Sequence, residues 1–411
     1  MKQPLRAGLI GTGGYGAEHL RRLTLLEDAG DITLAAVADP TLDDQGSLAS
    51  ELAARGVRCY PADAAMLAED LDLVVIASPI PLHEEMALRW LGHGAHILLE
   101  KPPVPTIQQL RSLIAADVES RIRIGFQLIH LPGLRLAKDW VREGRIGDLR
   151  RVAVGACWPR ADAYYARSSW AGALMHGDRP AFDGPATNAL SHVIHNLSFL
   201  AGAGAEEFAR PATVQGEFYR VRPIPSYDLA SIRGEFEGSV AYDITLAHCV
   251  GENFGSRIEA TGTEGSIMID STHTECRGPD GQVVERINSG WEQCFEAMYQ
   301  RFLGGTREPS SGGPSTLADC EPYSVITCGG LLSSGVIREL PKDHYERRDP
   351  DGQYIVHGLD AAVRRSLETG ESFHSQGVPW AWESESLRAA DVTHLQLDAF
   401  AATSFKDASL T

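Results

Sequence analysis

Membrane and metal signals are what this 411-residue sequence most plainly lacks. No run approaches the ~20 consecutive apolar residues that a membrane helix needs. The first strand-like segment begins within a few residues of Met1, leaving no room for a signal peptide, so a cytoplasmic location is the default expectation. The seven cysteines (Cys59, Cys157, Cys249, Cys276, Cys294, Cys320 and Cys328) are scattered without a C-x-x-C pair, which argues against both a zinc site and a disulfide framework. They read as reduced, structural residues, and no metal is expected. Positive charge is in deficit: 37 Lys and Arg stand against 55 Asp and Glu, a formal net charge of −18. Binding to a phosphate backbone rests on clustered cations, so nucleic acid is disfavoured as a partner. The sequence has no internal repeat, and its length and 43% hydrophobic content suit two or more domains with buried cores.

What is present begins at the N-terminus. The apolar segment Leu5-Arg6-Ala7-Gly8-Leu9-Ile10 runs into Gly11-Thr12-Gly13-Gly14-Tyr15-Gly16, and a helix-like stretch follows. This is a dinucleotide-binding turn in strand, turn and helix context. The first glycine permits a sharp turn, the second lets backbone N–H groups reach a pyrophosphate, and the third lets helix and strand pack closely. The anion then lies on the positive end of a helix.

A second strand-like run, Thr33 to Ala38, ends on Asp39, near the distance at which a carboxylate holds the adenosine ribose hydroxyls. A 2′-phosphate beside Asp39 would meet a repulsion of roughly 4 kcal/mol at 4 Å with an effective dielectric near 20. No Arg or Lys follows in Pro40-Thr41-Leu42-Asp43-Asp44 to offset it, so NAD is favoured over NADP. The bland alternative is a solvated Asp that starts a turn before Pro40.

From Leu5 to about Gln127, strands expected at 5–10, 33–38, 57–60, 72–77, 95–99 and 121–126 alternate with helices near 15–28, 46–55, 81–92 and 106–117. That alternation implies a doubly wound parallel sheet covered on both faces. Its ligand would lie at the carboxyl ends of the strands, beside the glycine turn, Ala77-Ser78-Pro79 and Glu100-Lys101-Pro102. After His130 the pattern becomes strand-rich, with runs at 149–154, 213–221, 228–236, 239–247 and 256–269, and it reads as a largely antiparallel sheet. Helices are expected at 134–143, 188–200 and 318–334, and the Gly-, Pro- and Ser-rich segment 304–314 reads as an exposed loop. Beyond Pro341 come a short strand around 354–356, a helix at 358–369 and a polar, poorly patterned end. The domain expectation is therefore 1–128, 129–340 and an extension at 341–411.

Three groups of residues carry candidate chemistry. Lys101, at a strand end beside the crevice, can bind a substrate oxygen and take part in proton transfer; the alternative is a solvated Lys paired with Glu100. In Asn188-Ala189-Leu190-Ser191-His192-Val193-Ile194-His195, a helix would set Asn188 and His192 on one face, with His195 a step further round. An imidazole there can abstract a hydroxyl proton, although a histidine on an apolar helix is often simply packed. Trp158, Arg160, Tyr164, Tyr165, Arg167 and Trp170 suit a carbohydrate, whose ring faces stack while its hydroxyls or a carboxylate take the guanidinium; a subunit interface is the alternative.

Gly11 to Gly16, Asp39, Ser78-Pro79 with His83 following, Glu100-Lys101-Pro102 and a helix carrying His192 together resemble the glucose-fructose oxidoreductase / inositol dehydrogenase / rhizopine-catabolism (Gfo/Idh/MocA) family. The resemblance covers roughly residues 5 to 340. It implies an N-terminal Rossmann domain and a C-terminal α/β domain whose large, mostly antiparallel open sheet often forms a homodimer or homotetramer interface. It also implies pyridine-nucleotide chemistry on sugars, polyols or related compounds. Lys101 would contact substrate and aid proton transfer, His192 would be the acid/base residue, and His83 would brace the loop beside the cofactor. The sequence departs from the family pattern in four places. Asn188 stands where an Asp is common, Leu190 where a Gly is common, His195 where an Asp is frequent, and Gln127 where an Asn often lies near the nicotinamide. An amide can orient an imidazole or bind a hydroxyl, but it cannot titrate.

The expected activity is NAD-dependent hydride transfer at a hydroxyl carbon of a sugar, sugar acid or cyclitol. Trp158, Arg160, Tyr165, Trp170, Asn188, His192, His195 and Lys101 would hold the substrate. Two other readings stand beside it. One is an enzyme whose tightly bound NAD drives elimination or glycoside cleavage through transient oxidation; the other is a non-catalytic NAD-sensing protein.

Overall fold

The computed structural model describes residues 3–42, 46–291, 293–308 and 313–403. Asp43 and Asp44, the residues 309–312 of the expected loop and the last eight residues of the extension lie outside them. The chain divides into two compact units. The first comprises Met1–Val104, Gln109–Phe126 and Tyr299–Ala318, and the second comprises Pro105–Gln108, Gln127–Met298 and Asp319–Thr411. Among the described residues no helix is long and apolar enough to cross a membrane.

In the first unit the alternating pattern folds as its period dictates. The elements are β1 (Leu5–Ile10), α1 (Tyr15–Asp28), β2 (Ile32–Ala38), α2 (Leu48–Ala54), β3 (Arg58–Tyr60), α3 (Asp63–Met66), β4 (Leu73–Ile76), α4 (His83–His93), β5 (His96–Leu99), α5 (Ile107–Ala116) and β6 (Ile122–Ile124). The six strands are all parallel, in the order β3-β2-β1-β4-β5-β6. The strands at the centre of such a sheet are covered on both faces and must be apolar throughout, and Leu73–Ile76 and Ile97–Leu99 are wholly buried. The strand order reverses between β1 and β4, which opens a crevice at their carboxyl ends. The strand expected at 121–126 stops at Ile124, because Gly125 passes over Glu100; a Cβ there would lie 2.6 Å from Glu100 Oε1.

The second unit contains α6 (Pro132–Arg142), β7 (Leu149–Cys157), α7 (Asp162–Ala166), β8 (Met175–His176), β9 (Arg179–Pro180) and α8 (Ser191–Ala201). Strands β10 (Thr213–Arg220), β11 (Leu229–Glu235), β12 (Ala241–Ala247), β13 (Gly255–Gly262), β14 (Ser266–Ile269), β15 (His273–Arg277) and β16 (Val283–Asn288) follow. After them come α9 (Gln293–Arg307), α10 (Glu321–Ser334), β17 (Ile337–Glu339), β18 (Tyr345–Arg348), β19 (Gln353–Val356), α11 (Leu359–Thr369), β20 (Leu387–Arg388) and α12 (Leu397–Thr403). The sheet runs β16-β15-β14-β13-β7-β12-β11-β10-β17, with β20 on β10. It is antiparallel except at β7/β12 and β10/β17, which pair in parallel.

Several elements differ from the sequence expectation. The run at 256–269 is two strands, joined by a turn in which Gly262 N–H donates to Gly265 O at 2.9 Å. Strands β15 to β17 and the hairpin partner β18 had no expectation. The exposed loop expected from Gly304 begins inside α9; two glycines weaken a helix, but Phe302 and Leu303 are buried there and outweigh them. The helix expected from Asn188 starts at Ser191, and Pro185–Ala189 form a single π-helical turn before it.

Alternate residues of the sheet show what covers each face. A Cβ on Gly216 would lie 2.3 Å from Gly330 O of α10, whereas a Cβ on Gly155 would lie 2.5 Å from the Leu367 side chain of α11. On the α11 side, Cys157, Tyr219, Leu229, Ala247 and Cys249 form one core with Val356, Leu359, Val363 and Phe373, against which Trp380 packs. The segment beyond Pro341 thus covers this face over β7, β12, β11 and β10. Over those four strands the face that the resemblance offers for oligomer contacts is occupied by the chain itself.

Within this cover the buried Glu217 accepts the Tyr219 hydroxyl at 2.6 Å, and Tyr219 Oη accepts Trp382 N–H at 2.9 Å. Burial pushes the Glu217 carboxyl up to about 7, against the hydrogen bond from Tyr219. A carboxyl raised in the folded state contributes stability below its unfolded value, and that contribution is lost as pH rises through the folded one, here up to ~3 kcal/mol. Glu217→Gln keeps an acceptor for Tyr219 and removes the proton loss. The melting temperature of the variant relative to wild type is therefore expected to be higher at pH 8.5 than at pH 5.0, as read by calorimetry.

Candidate active site

Sterics at the glycine turn set the first half of the site. Gly11 has φ of +86°, and a Cβ there would lie 2.6 Å from Ala77 O of the neighbouring strand end. A Cβ on Gly16 would lie 2.2 Å from Gly11 O, so neither position tolerates a side chain. Gly14, at φ of +52°, caps α1, with the half-exposed Tyr15 opening the helix. Gly13 has nothing within 4 Å of its would-be Cβ, which is the room an approaching diphosphate needs. Across the crevice, Ser78 Oγ is buried without a hydrogen-bond partner. The donors and space fit a dinucleotide.

Asp39 ends β2 as expected and is buried. One carboxylate oxygen accepts Thr12 N–H at 2.7 Å and Thr12 Oγ1 at 2.9 Å; the other accepts Thr41 N–H at 2.8 Å and Thr41 Oγ1 at 2.7 Å. Desolvation alone would raise its pKa, but these four donors outweigh it and hold the carboxyl below the usual value. Asp39 therefore locks the glycine turn to the β2 turn. A ribose hydroxyl reaching it would replace one of the threonine hydroxyls.

At the end of β5, the buried Glu100 holds two neighbours. Its Oε1 lies 2.9 Å from His19 Nε2, and His19 Nδ1 lies 2.7 Å from Tyr299 Oη. Burial would raise Glu100, and His19 chiefly holds it low. Its Oε2 accepts the Lys101 backbone N–H at 3.2 Å, which fixes the start of the Lys101-Pro102-Pro103 turn. The buried His83 joins that turn to the preceding one: Nε2 lies 2.9 Å from Ser78 O, and Nδ1 lies 3.0 and 3.2 Å from Pro102 O and Pro103 O. Pro79, between Ser78 and the short turn before α4, is exposed.

The second unit gathers the other candidates. Because β7 and β12 are parallel, Cys157 and Ala247 end side by side, and Trp158, Arg160 and His248 emerge together. Arg160 lies over the rings of Trp158 at 5.3 Å and Tyr164 at 4.6 Å. Arg167 lies over Tyr164 at 3.8 Å and Trp170 at 5.2 Å. Tyr165 Oη is 3.0 Å from His248 Nδ1, and the buried Arg222 lies 4.9 Å from the Tyr165 ring and pairs with Asp162. Desolvation first, then Arg160, Arg167 and Arg222, keep His248 well below the usual histidine range and so neutral. A cleft of ≈560 Å³ opens at this end, lined by Pro159, Ala161, Asp162, Ala163, Pro350, Asp351 and Gln353.

His192 lies in the first turn of α8 and is 8% exposed, while the half-buried Asn188 precedes the helix in the π-helical turn rather than sharing an α-helical face with it. His195 is fully buried, with its ring 4.5 Å from that of Phe208; burial, then His130, push it down to about 3. It is a neutral packed residue. Gln127 is buried in a single turn, Gln127–His130, and counts with the second unit. Sequence reasoning missed His248, Arg222 and Asp183. The end-of-strand rule that picked Lys101 also applies to His248, but only once β12 is known to run parallel to β7. Among the described residues no group of three or more His, Cys, Asp or Glu is placed to hold a metal ion.

Asp39→Ala frees Thr12 and Thr41 together. It is expected to raise the Kd for NAD about tenfold, the loss of ~1.4 kcal/mol, and to narrow the preference over NADP, as read by calorimetric titration with both nucleotides.

Residues 5–126 match the model for the oxidoreductase family with an NAD-binding Rossmann fold, and residues 134–268 match that for the GFO/IDH/MocA C-terminal domain. Inositol 2-dehydrogenase 1 of Paenarthrobacter aurescens (strain TC1) is 27% identical over 344 residues, covering 80% of this chain and 92% of its own length. Inositol 2-dehydrogenase of Streptomyces avermitilis is 26% identical over 363 residues, covering 86% and 98%. Among solved structures, the WlbA dehydrogenase from Bordetella pertussis in complex with NADH and UDP-GlcNAcA has a TM-score of 0.66 at 20% identity, covering 81% of this chain and 97% of its own. A levoglucosan dehydrogenase in complex with NADH has a TM-score of 0.67 at 19% identity, covering 81% and 97%. With its parallel β3-β2-β1-β4-β5-β6 sheet, its glycine turn and both domain models matched, the chain belongs to the Gfo/Idh/MocA family of NAD-binding oxidoreductases.

Proposed function

We propose that this oxidoreductase is an NAD-dependent dehydrogenase acting at a hydroxyl carbon of a sugar, sugar acid or cyclitol. The observation that carries the reading is the cluster at the carboxyl ends of β7 and β12. There Trp158, Tyr164 and Trp170 offer ring faces, and Arg160 and Arg167 lie over them. Rigid aromatic faces with fixed guanidinium donors suit a polyhydroxylated ring that is apolar on one side and edged with oxygen. The named activities of the inositol and levoglucosan dehydrogenases to which the chain is similar support the same class.

Bound NAD supplies the hydride acceptor. His192 takes the hydroxyl proton as the carbon is oxidised, a step suited to an imidazole that is neutral at working pH. Lys101, on a turn fixed from both sides by Glu100 and His83, stabilises negative charge that develops on a substrate oxygen. Among the described residues Arg167 and Arg222 pair with Asp183 and Asp162 whereas Arg160 pairs with no carboxylate, so Arg160 is the guanidinium that takes a substrate carboxylate when there is one.

Purified protein with NAD and a panel of inositols, aldoses and uronates is expected to give absorbance at the reduced-nicotinamide wavelength. Lys101→Ala and His192→Ala should each lower kcat by ~10² or more with NAD binding retained. Turnover unaffected by Lys101→Ala would sink the assignment. Arg160→Ala is expected to raise KM for a uronate more than for the matching neutral sugar, in a side-by-side comparison on one enzyme preparation.

A further inference from the structure

Asp183 is 1% exposed. Its Oδ1 accepts the Asn188 Nδ2 hydrogen bond at 2.6 Å, and its Oδ2 accepts the Gly172 backbone N–H at 2.6 Å and lies 3.6 Å from Arg167 Nη2. An ionised carboxylate only accepts, so the Asn188 amide has one permitted orientation: nitrogen toward Asp183, oxygen away.

The surrounding segment is built to hold that pair. Phe182 has φ of +47°, a left-handed conformation that is unfavourable for a bulky residue and persists only where neighbours impose it. Its ring packs against Phe218 and Tyr227, and its carbonyl accepts the Thr187 hydroxyl. A Cβ on Gly184 would lie 2.4 Å from the Tyr227 ring, Thr187 Oγ1 is 2.8 Å from Tyr227 Oη, and Tyr323 Oη donates to Ala186 O at 3.2 Å. A π-helical turn, Pro185–Ala189, results, and insertions of this kind gather at functional sites.

We propose that Asp183 is the positioning residue of the substrate site. It sets the Asn188 amide so that Oδ1, with two lone pairs, accepts a substrate hydroxyl, and through Arg167 it ties that amide to the aromatic cluster. The carboxyl that an Asp at position 188 would place in the site is thereby held five residues back, at the buried Asp183. The proposal rests on the dehydrogenase reading above.

The test exchanges the two groups. Asp183→Asn leaves two amides facing each other and an amide against Arg167, and is expected to lower kcat/KM by ~10²-fold with the Kd for NAD unchanged. Asn188→Asp sets two carboxyls side by side. While they share a proton the pair imitates the native hydrogen bond, so activity persists at low pH and falls as pH rises, where wild type does not. The double variant D183N/N188D restores one amide and one carboxylate, and should recover at least tenfold over Asp183→Asn and lose the alkaline fall. Wild-type kcat/KM in Asp183→Asn, or a wild-type pH profile in Asn188→Asp, overturns the proposal. A second readout needs no turnover. The Asn188 side-chain amide resonances, assigned by their loss in Asn188→Asp, should show slow hydrogen exchange in the wild-type protein. Fast exchange there also overturns it, whereas slow exchange in a protein that oxidises no sugar or cyclitol places the failure with the dehydrogenase reading.

Discussion

A carboxylate removed from water has to be given hydrogen-bond donors, and the loops of this protein are held where they are by that requirement. Asp39 takes four donors from Thr12 and Thr41 and so welds the glycine turn to the turn after β2. Glu100 takes His19 and the Lys101 backbone N–H, and His19 in turn reaches Tyr299. Asp183 takes Gly172 and Asn188. In each case an acid just beyond a regular element, or in the turn leading into one, is buried and cross-links segments, distant in the chain for Asp39 and Glu100 and neighbouring for Asp183. The catalytic candidates are the neighbours of these acids rather than the acids themselves: Lys101 follows Glu100, and Asn188 is held by Asp183.

Close approach of backbones is the complementary constraint. Gly11 and Gly16 leave no space for a methyl group, while Gly13 leaves space for a ligand. The same steric logic recurs in the second unit, where Gly155 and Gly216 let α11 and α10 press onto opposite faces of the sheet. The extension beyond Pro341 is consequently part of the second unit's core, with Phe373 and Val363 as fully buried as any strand residue.

The first unit was nearly all legible, since its central strands β1, β4 and β5 bury apolar runs and the helices between the strands carry an amphipathic period. The glycine turn, Asp39, Ser78 and Glu100-Lys101 stand where that reading placed them, at strand ends. The second unit was legible as a class but less so in detail. β15 and the edge strand β16 carry polar and charged residues at their centres, Thr274-Glu275 and Glu285-Arg286, which hide them as strands, and α9 carries Gly304 and Gly305, which mimic a loop. His195 and His192 look equivalent in sequence, three residues apart on one helix; packing against Phe208 makes one a neutral core residue and leaves the other at the surface of the core.

Local patterning by itself determined the doubly wound first unit, the dinucleotide turn and the preference for NAD, because strand period, glycine sterics and the sign of one charge act over a few residues. Tertiary structure alone decided which polar groups meet. The parallel pairing of β7 with β12 puts His248 beside Arg160 and Tyr165, and the left-handed turn at Phe182 brings Asp183 onto Asn188. Those encounters depend on sheet register and on burial that forces a partner to be found. Neither is written in the spacing of residues along the chain.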